Sequence, residues 1–454
     1  MRRARSREEA GFEAPTQRPD RGLPTPDEDR RMSPTVMTIP RAKEAIGEAF
    51  AAALAVVEPA AATRRALEAL SLDGPVHIVG LGKAACAMTR GAAGQLGAMV
   101  AGMTVITDHT EEVPAGAVVH IGDHPYPGAR SWRAGRAVVE FARAIPAEAT
   151  ALFLVSGGAS SLVEMPEEGL TVEDLAVTGR LLMGAGVPIM ELNKVRRHLS
   201  AIKNGGLALM TGARRLITLV LSDVVDGPAH AVGSGPTLAD GSTPRDALAI
   251  IDDYAVAVPE SVRRFLDQAA DRETPYREHE QEHEVFVVGD GAQAAEAAAA
   301  RLRFEGQHVE AVATPVTGDA EGAARRFIRN VPIGTVRVGW GETTVRVSGS
   351  GRGGRDQAAA LAAAIHLDAW PDVGFVFAAL ATDGIDGPTD AGGALVDQAT
   401  ADQIRRTGVD PEAALREADS YTALDSVGAL VRPGPTGTNV GDLWFAWNLG
   451  PLAV

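Results

Sequence analysis

The strongest constraint in this sequence is a recurring unit: a short apolar run, a turn of small residues, then a helical pattern. Residues 76–79, 103–106, 117–121, 152–155 and 216–221 are such runs, and several lack the polar alternation of a strand with one wet face. Runs of this kind, joined through helices, belong to a largely parallel sheet covered on both sides. Ligands of such sheets bind at the carboxyl ends of the strands. The turns after each run are therefore where chemistry is to be sought.

The chain has 454 residues, enough for two or three domains, and 45% are hydrophobic, enough for a sizeable core. The division expected is an extension, 1–37, rich in Arg, Asp, Glu and Pro and read as disordered, a first domain, 38–270, and a second, 271–454. Met32 and Met37 are alternative starts. A net charge of -16 and 4% aromatics argue against a nucleic-acid partner, which needs a basic face and stacking platforms. Cys86 is the single cysteine, so no intrachain disulfide and no cysteine-based zinc site can form. With no apolar run of about twenty residues and no apolar stretch behind Arg2, Arg3 and Arg5, the expectation is a cytoplasmic protein with no membrane partner.

The first turn, Gly80-Leu81-Gly82-Lys83-Ala84-Ala85, follows a strand and opens a helix, so its N–H groups and Lys83 suit an anion. Its spacing also fits a dinucleotide fold, with Asp108 after the next strand. The second, Ser156-Gly157-Gly158-Ala159-Ser160, could cradle a carboxylate or phosphate. It lacks the pattern of a hydrolase elbow. Next, Asn193, Arg196, Arg197 and Lys203 spread over two faces of a helical stretch, either as a solvated basic surface or partly aimed into an anionic site. Asp223 stands just past a buried run, placed for Mg²⁺ or a substrate hydroxyl, or for a helix cap. His124 reads more readily as a structural histidine than as a catalytic one.

The second region begins near Val285, with strands expected at 285–288 and 309–313 and a hairpin of 336–338 with 343–347 around 339–341. Arg355 stands in a glycine turn before a helix, where its planar fork suits a carboxylate or phosphate. Asp383, Asp386 and Asp390 have the wrong spacing for a calcium loop, and their hard oxygens suit Mg²⁺. The turn 434–439 adds Thr436, Gly437 and Asn439.

Taken in order, GLGKAACAM (80–88), GDHPYPGARS (122–131), LVSGGASSL (154–162), ELNKVRRHLSAIKNGGLA (191–208), LSDVVDGPAHAVGSGPT (221–237), WGETTVRVSGSGRGGRDQ (340–357), ATDGIDGPTDAGGALVD (381–397) and GPTGTNVGDL (434–443) resemble the glycerate 2-kinase family, whose C-terminal part is the MOFRL domain. The resemblance covers residues 42–448. It implies a two-domain α/β enzyme: a Rossmann-like doubly wound, mostly parallel sheet, a smaller α/β MOFRL domain, and the active site in the cleft between them. It further implies ATP-dependent phosphorylation of D-glycerate with Mg²⁺, with Lys83 and Arg355 as the important basic residues. Two departures stand out. The stretch after Asp223 leaves the roles of Asp226 and His230 open, and Asp356 stands where the family more often has Asn.

Phosphoryl transfer requires positioning and charge neutralisation. Lys83 and Arg355 are expected to neutralise the phosphoryl group or the substrate carboxylate. Asp223 or Asp383 is expected to hold Mg²⁺ or to accept the 2-hydroxyl proton. Gly82, Ser156, Gly157, Gly158, Ser160, Asn193, Arg196, Lys203, Thr436, Gly437 and Asn439 are expected to bind substrate and nucleotide. The partners expected are small molecules, D-glycerate and ATP, with a homodimer as an option. The rivals are an NAD(P)-dependent hydroxypyruvate reductase, a name some relatives carry, and a non-catalytic sensor of sugar acids or phosphates.

Overall fold

The computed structural model describes residues 37–270, 282–346 and 349–452, so the expected extension lies outside the described residues, Met37 apart. The apolar runs become strands β1 (Val76–Leu81), β2 (Val100–Thr107), β3 (Ala117–Ile121), β4 (Thr150–Val155), β5 (Arg215–Leu221) and β6 (Glu282–Gly289). They form one sheet in the order β3-β2-β1-β4-β5-β6, every neighbour parallel. Every residue of β4 is buried, which explains why its sequence carries no polar alternation. Val79, Leu81, Phe153 and Val155 share one core with Val138 and Leu207 from the covering helices. The chain winds outward to one side from β1 and to the other from β4. The two strands therefore flank the topological switch point, where a crevice opens at their carboxyl ends.

The second sheet contains β7 (His308–Ala311), β8 (Val316–Asp319), β9 (Thr335–Thr344), β10 (Val373–Ala381), β11 (Gly393–Asp397), β12 (Leu430–Val431) and β13 (Asp442–Pro451). Its order is β12-β11-β10-β13-β9-β7, with β8 also on β9. β9 to β12 are joined through antiparallel pairs, whereas β7 and β8 run parallel to β9. Trp444 meets Phe327 and Phe377 edge-on at 5.6 and 5.5 Å, the arrangement the ring quadrupoles prefer. The Ala-rich helix Arg355–Leu367 packs into the same core. Among the described residues no single helix is long and apolar enough to cross a membrane.

The structure corrects two expectations. Residues 336–344 of the expected hairpin run as one continuous strand, β9, which ends at Thr344; Val347 lies outside the described residues. Its glycines serve close packing, not a turn. A Cβ on Gly339 would stand 2.6 Å from the Phe327 ring, and one on Gly341 2.1 Å from the Val316 carbonyl oxygen. The run at 285–288 does not open the second region: it lies in β6, the edge of the first sheet. Conversely, the first helix, Ile39–Val56, packs on helix Gly291–Phe304. Lys43 pairs with Asp397 of β11 at 2.7 Å, and Glu48 with Arg301 at 2.8 Å. Each sheet is thus built from consecutive strands, β1–β6 and β7–β13, but the first helix of the chain packs beside the second sheet.

Candidate active site

Two glycine turns lock together at the switch point. Gly82 has φ +118, and a Cβ there would lie 2.3 Å from Ser156 Oγ, so only glycine fits. The N–H groups of Gly82, Lys83 and Ala84 donate to the Ile106 carbonyl (3.0 Å), the Gly157 carbonyl (2.9 Å) and Ser156 Oγ (3.1 Å). The donors a dinucleotide pyrophosphate would use are therefore spent on the protein itself. Gly82 and Ser156 act as a clasp, not as ligand contacts. What the clasp presents is the Lys83 side chain, exposed and lying over Gly158, where a Cβ would be 3.1 Å from its Cγ. Asp223, at the end of β5, reaches the same place: its Oδ2 would be 2.1 Å from a Cβ on Gly157. Burial pushes the Asp223 carboxyl above its ordinary range, the Glu342 charge adds to the rise, and Lys83 opposes it.

A cleft of about 1080 Å³ opens from this point, lined by both sheets. Gly157, Gly158, Ser160, Asn193, Arg196, Asp223, Arg355, Asp383 and Asn439 line it as expected. Ser160 Oγ bonds Ser234 Oγ at 2.8 Å, and its carbonyl accepts from Arg196 Nη2 at 3.0 Å. Burial depresses the Arg196 guanidinium, and Glu164 offsets this only through its charge. Asn193 Oδ1 is sealed from water without a hydrogen-bond partner. An orphan acceptor on a cleft wall fits a donor on a ligand. His124, read from the sequence as structural, also lines the cleft. Burial, then Lys83 and Arg196, hold its imidazole toward the neutral form.

Lys203 is not in the cleft. Its ammonium is buried in an ion pair with Glu164, and burial pulls it down to about 8 against the pull of that carboxylate. The turn after it is bolted to the neighbouring loop, Gly205 N–H to the Gly235 carbonyl at 2.8 Å. Arg197 is likewise buried, on Asp240. Thr436 and Gly437 do not line the cleft either: Thr436 Oγ1 donates to the Thr382 carbonyl at 2.6 Å, and the next hydroxyl, Thr438 Oγ1, to Val57 O at 2.8 Å.

Arg355 faces the cleft with its charge already matched. Nε and Nη2 bond both oxygens of Asp442, and Nη1 bonds Glu342. Burial works against the guanidinium, but Asp442 outweighs it and holds the pKa above normal. The N-terminus of the following helix is also occupied, since Asp386 accepts the Gln357 N–H at 2.8 Å. Asp442 carries no signal of its own in the sequence beyond its place in the GPTGTNVGDL stretch, whereas Asp386 is visible in the Asp-rich turn.

The cleft is thus lined by Arg196 on one side and by Asp223, Glu342 and Asp383 on another, while Lys83, not itself a lining residue, lies over Gly158 at its edge. Among the described residues no three metal-ligating side chains cluster. Mg²⁺ carried on nucleotide phosphates needs only one or two protein carboxylates. Asp223, with no side-chain cation bonded to it, and Asp383, whose Oδ1 accepts only the Ile385 N–H at 3.0 Å, fit that requirement.

The profile of a family described as "Domain of unknown function (DUF4147)" matches residues 45–267, and that of the MOFRL family matches 335–442. A D-glycerate 2-kinase from Thermotoga maritima is 36% identical over 400 residues, covering 85% of this chain and 94% of that protein. A protein from Agrobacterium vitis with the provisional name hydroxypyruvate reductase is 35% identical, over 88% of this chain and 93% of its own length. The crystal structure of the glycerate kinase from Thermotoga maritima superposes with a TM-score of 0.81 at 34% identity, covering 90% of this chain and 98% of that one.

Proposed function

The chain belongs to the glycerate 2-kinase family, with a DUF4147 region followed by a MOFRL region, and on that premise we propose that it transfers the γ-phosphoryl group of ATP to the 2-hydroxyl of D-glycerate, giving 2-phosphoglycerate and ADP. The observation that carries this reading is the convergence of Lys83, Asp223 and the Gly157–Gly158 turn at the switch point.

The 2-hydroxyl oxygen bonds to the γ-phosphorus as the bond to the β–γ bridging oxygen breaks. The hydroxyl proton passes to Asp223, whose raised pKa makes it a stronger base than an ordinary carboxylate. Lys83 neutralises charge on the transferring group. Arg196 and Asn193, on the helix wall, take the substrate carboxylate and a hydroxyl. Asp383 would hold Mg²⁺, which when bound draws charge from the β- and γ-phosphate oxygens. Arg355 sets the positions of Glu342 and Asp442.

Hydride transfer from a dinucleotide is disfavoured by the spent N–H groups of the first turn. The test is a coupled assay with D-glycerate, ATP and Mg²⁺, run beside hydroxypyruvate with NADH, with identification of the phosphorylated isomer. ADP release dependent on D-glycerate, with 2-phosphoglycerate as product, is expected. NADH oxidation without ATP consumption would overturn the reading.

A further inference from the structure

The cleft, about 1080 Å³, is much larger than a three-carbon acid requires, and its walls change character along their length. Ile189, Asn193 and Arg196 lie on one face of helix Ile189–His198 and all line the cleft. At the α-helical rise, Ile189 stands about 10 Å along the axis from Arg196. An extended nucleotide places its base at a similar remove from its terminal phosphate. Exposure follows the same gradient. Asn193 Oδ1 is sealed from water, whereas Ile189 is 62% and Met190 38% exposed.

The second sheet's wall also carries exposed aliphatic groups. Asp383 is followed by Ile385, which lines the cleft and is 44% exposed. The Ile385 N–H is fixed on Asp383 Oδ1 at 3.0 Å, and the carbonyl of Pro388 accepts from Arg352 Nε at 3.2 Å, so both apolar groups stand on a tethered loop. The helix wall thus runs from charged Arg196 to exposed Ile189, and the second wall offers exposed Ile385 close beside Asp383. A purine has two flat apolar faces. In a chain with 4% aromatic residues, aliphatic side chains are the available surface for them.

We infer that Ile189 and Met190 on one wall and Ile385 and Pro388 on the other hold the two faces of the nucleobase of the phosphoryl donor. This rests on the kinase reading and adds to it the seat of the base. Neither isoleucine belongs to the phosphoryl-transfer machinery.

The test compares the wild type with Ile189→Ser, Ile385→Ser and the double variant in steady-state kinetics, with inorganic tripolyphosphate as a competitor that has phosphates but no base. The double variant is expected to raise KM for ATP about tenfold, leaving kcat, KM for glycerate and inhibition by tripolyphosphate unchanged. Thermal melting without nucleotide should be unchanged, because both side chains are exposed. An unchanged KM for ATP, or tripolyphosphate weakening in step with ATP, overturns the inference while leaving the kinase reading intact. If the wild type does not phosphorylate glycerate, that reading falls by itself. Calorimetric titration of MgADP into the wild type and the double variant then decides the base site: equal affinities, or no binding to either, overturn it.

Discussion

The Arg355 guanidinium forks onto Asp442, Nε to Oδ2 at 2.6 Å and Nη2 to Oδ1 at 2.9 Å, and so holds an almost wholly buried carboxylate at the cleft wall. Burial pushes Asp442 up to about 6, with Asp386 and Glu342 adding to the rise, while Arg355 opposes it. A carboxyl whose folded pKa is raised gives stability at low pH that is lost as pH rises through the folded value. Arg355→Ala removes the opposing charge, so the loss deepens. The variant is expected to be less stable by about 3 kcal/mol at pH 8 and much less affected at pH 5, where Asp442 takes up a proton. Urea denaturation at the two pH values checks this. Equal losses at both would show that the ion pair does not set the stability.

Asp356 is wholly buried beside Asp442 and Asp386. Its Oδ1 accepts from the Trp444 indole at 3.1 Å, and its Oδ2 has no partner. Burial and the two neighbouring carboxylates raise its pKa well above normal, so it too gives up stability as pH rises. Asp356→Asn keeps an acceptor for Trp444 and brings donors toward the neighbouring acids. The variant should gain about 1 kcal/mol at pH 8 and show a smaller gain at pH 5, read from melting temperatures.

Asp223→Asn removes the proposed base. The rate constant kcat should fall roughly 10²- to 10⁴-fold. In the wild type, activity should fall as pH drops through the raised pKa of Asp223, at a pH above the ordinary carboxylate range. The variant should lack that limb, which a pH profile of kcat will show.

Lys83 and Lys203 carry the same charge and should behave oppositely. Lys83 is exposed, so Lys83→Ala should leave the melting temperature unchanged and lower kcat roughly 10²- to 10³-fold. Lys203→Met strands Glu164 in the interior and should destabilise by about 3 kcal/mol or more. Adding Glu164→Leu should restore most of that stability. Melting curves and kinetics on the three variants separate the roles.

The first sheet was legible because buried parallel strands write themselves as unbroken apolar runs: 117–121 coincides with β3, and 152–155 lies within β4. The ends of those runs mark Gly157 and Asp223, and the basic helical stretch marks Arg196, as site residues. The strands at Val373–Ala381 and Asp442–Pro451 were not assigned. Sequence pattern could not separate Lys203 from Lys83, since both are basic residues beside glycines; only tertiary packing puts one against Glu164 and leaves the other over Gly158. Gly339 and Gly341 misled for a related reason: a glycine that admits a ring or a neighbouring strand looks in sequence like one that makes a turn.

Because helix Ile39–Val56 is tied to β11 through Lys43 and β6 closes the edge of the first sheet, the two halves are interlaced along the chain. A scission between residues 270 and 282 would give fragments that each lack a piece held by the other: a C-terminal fragment stripped of a covering helix but carrying a stray strand. Such pieces should fail as independently expressed modules and be recoverable only by co-expression. Any fusion or circular permutation of this enzyme has to keep the two ends of that exchange in one molecule.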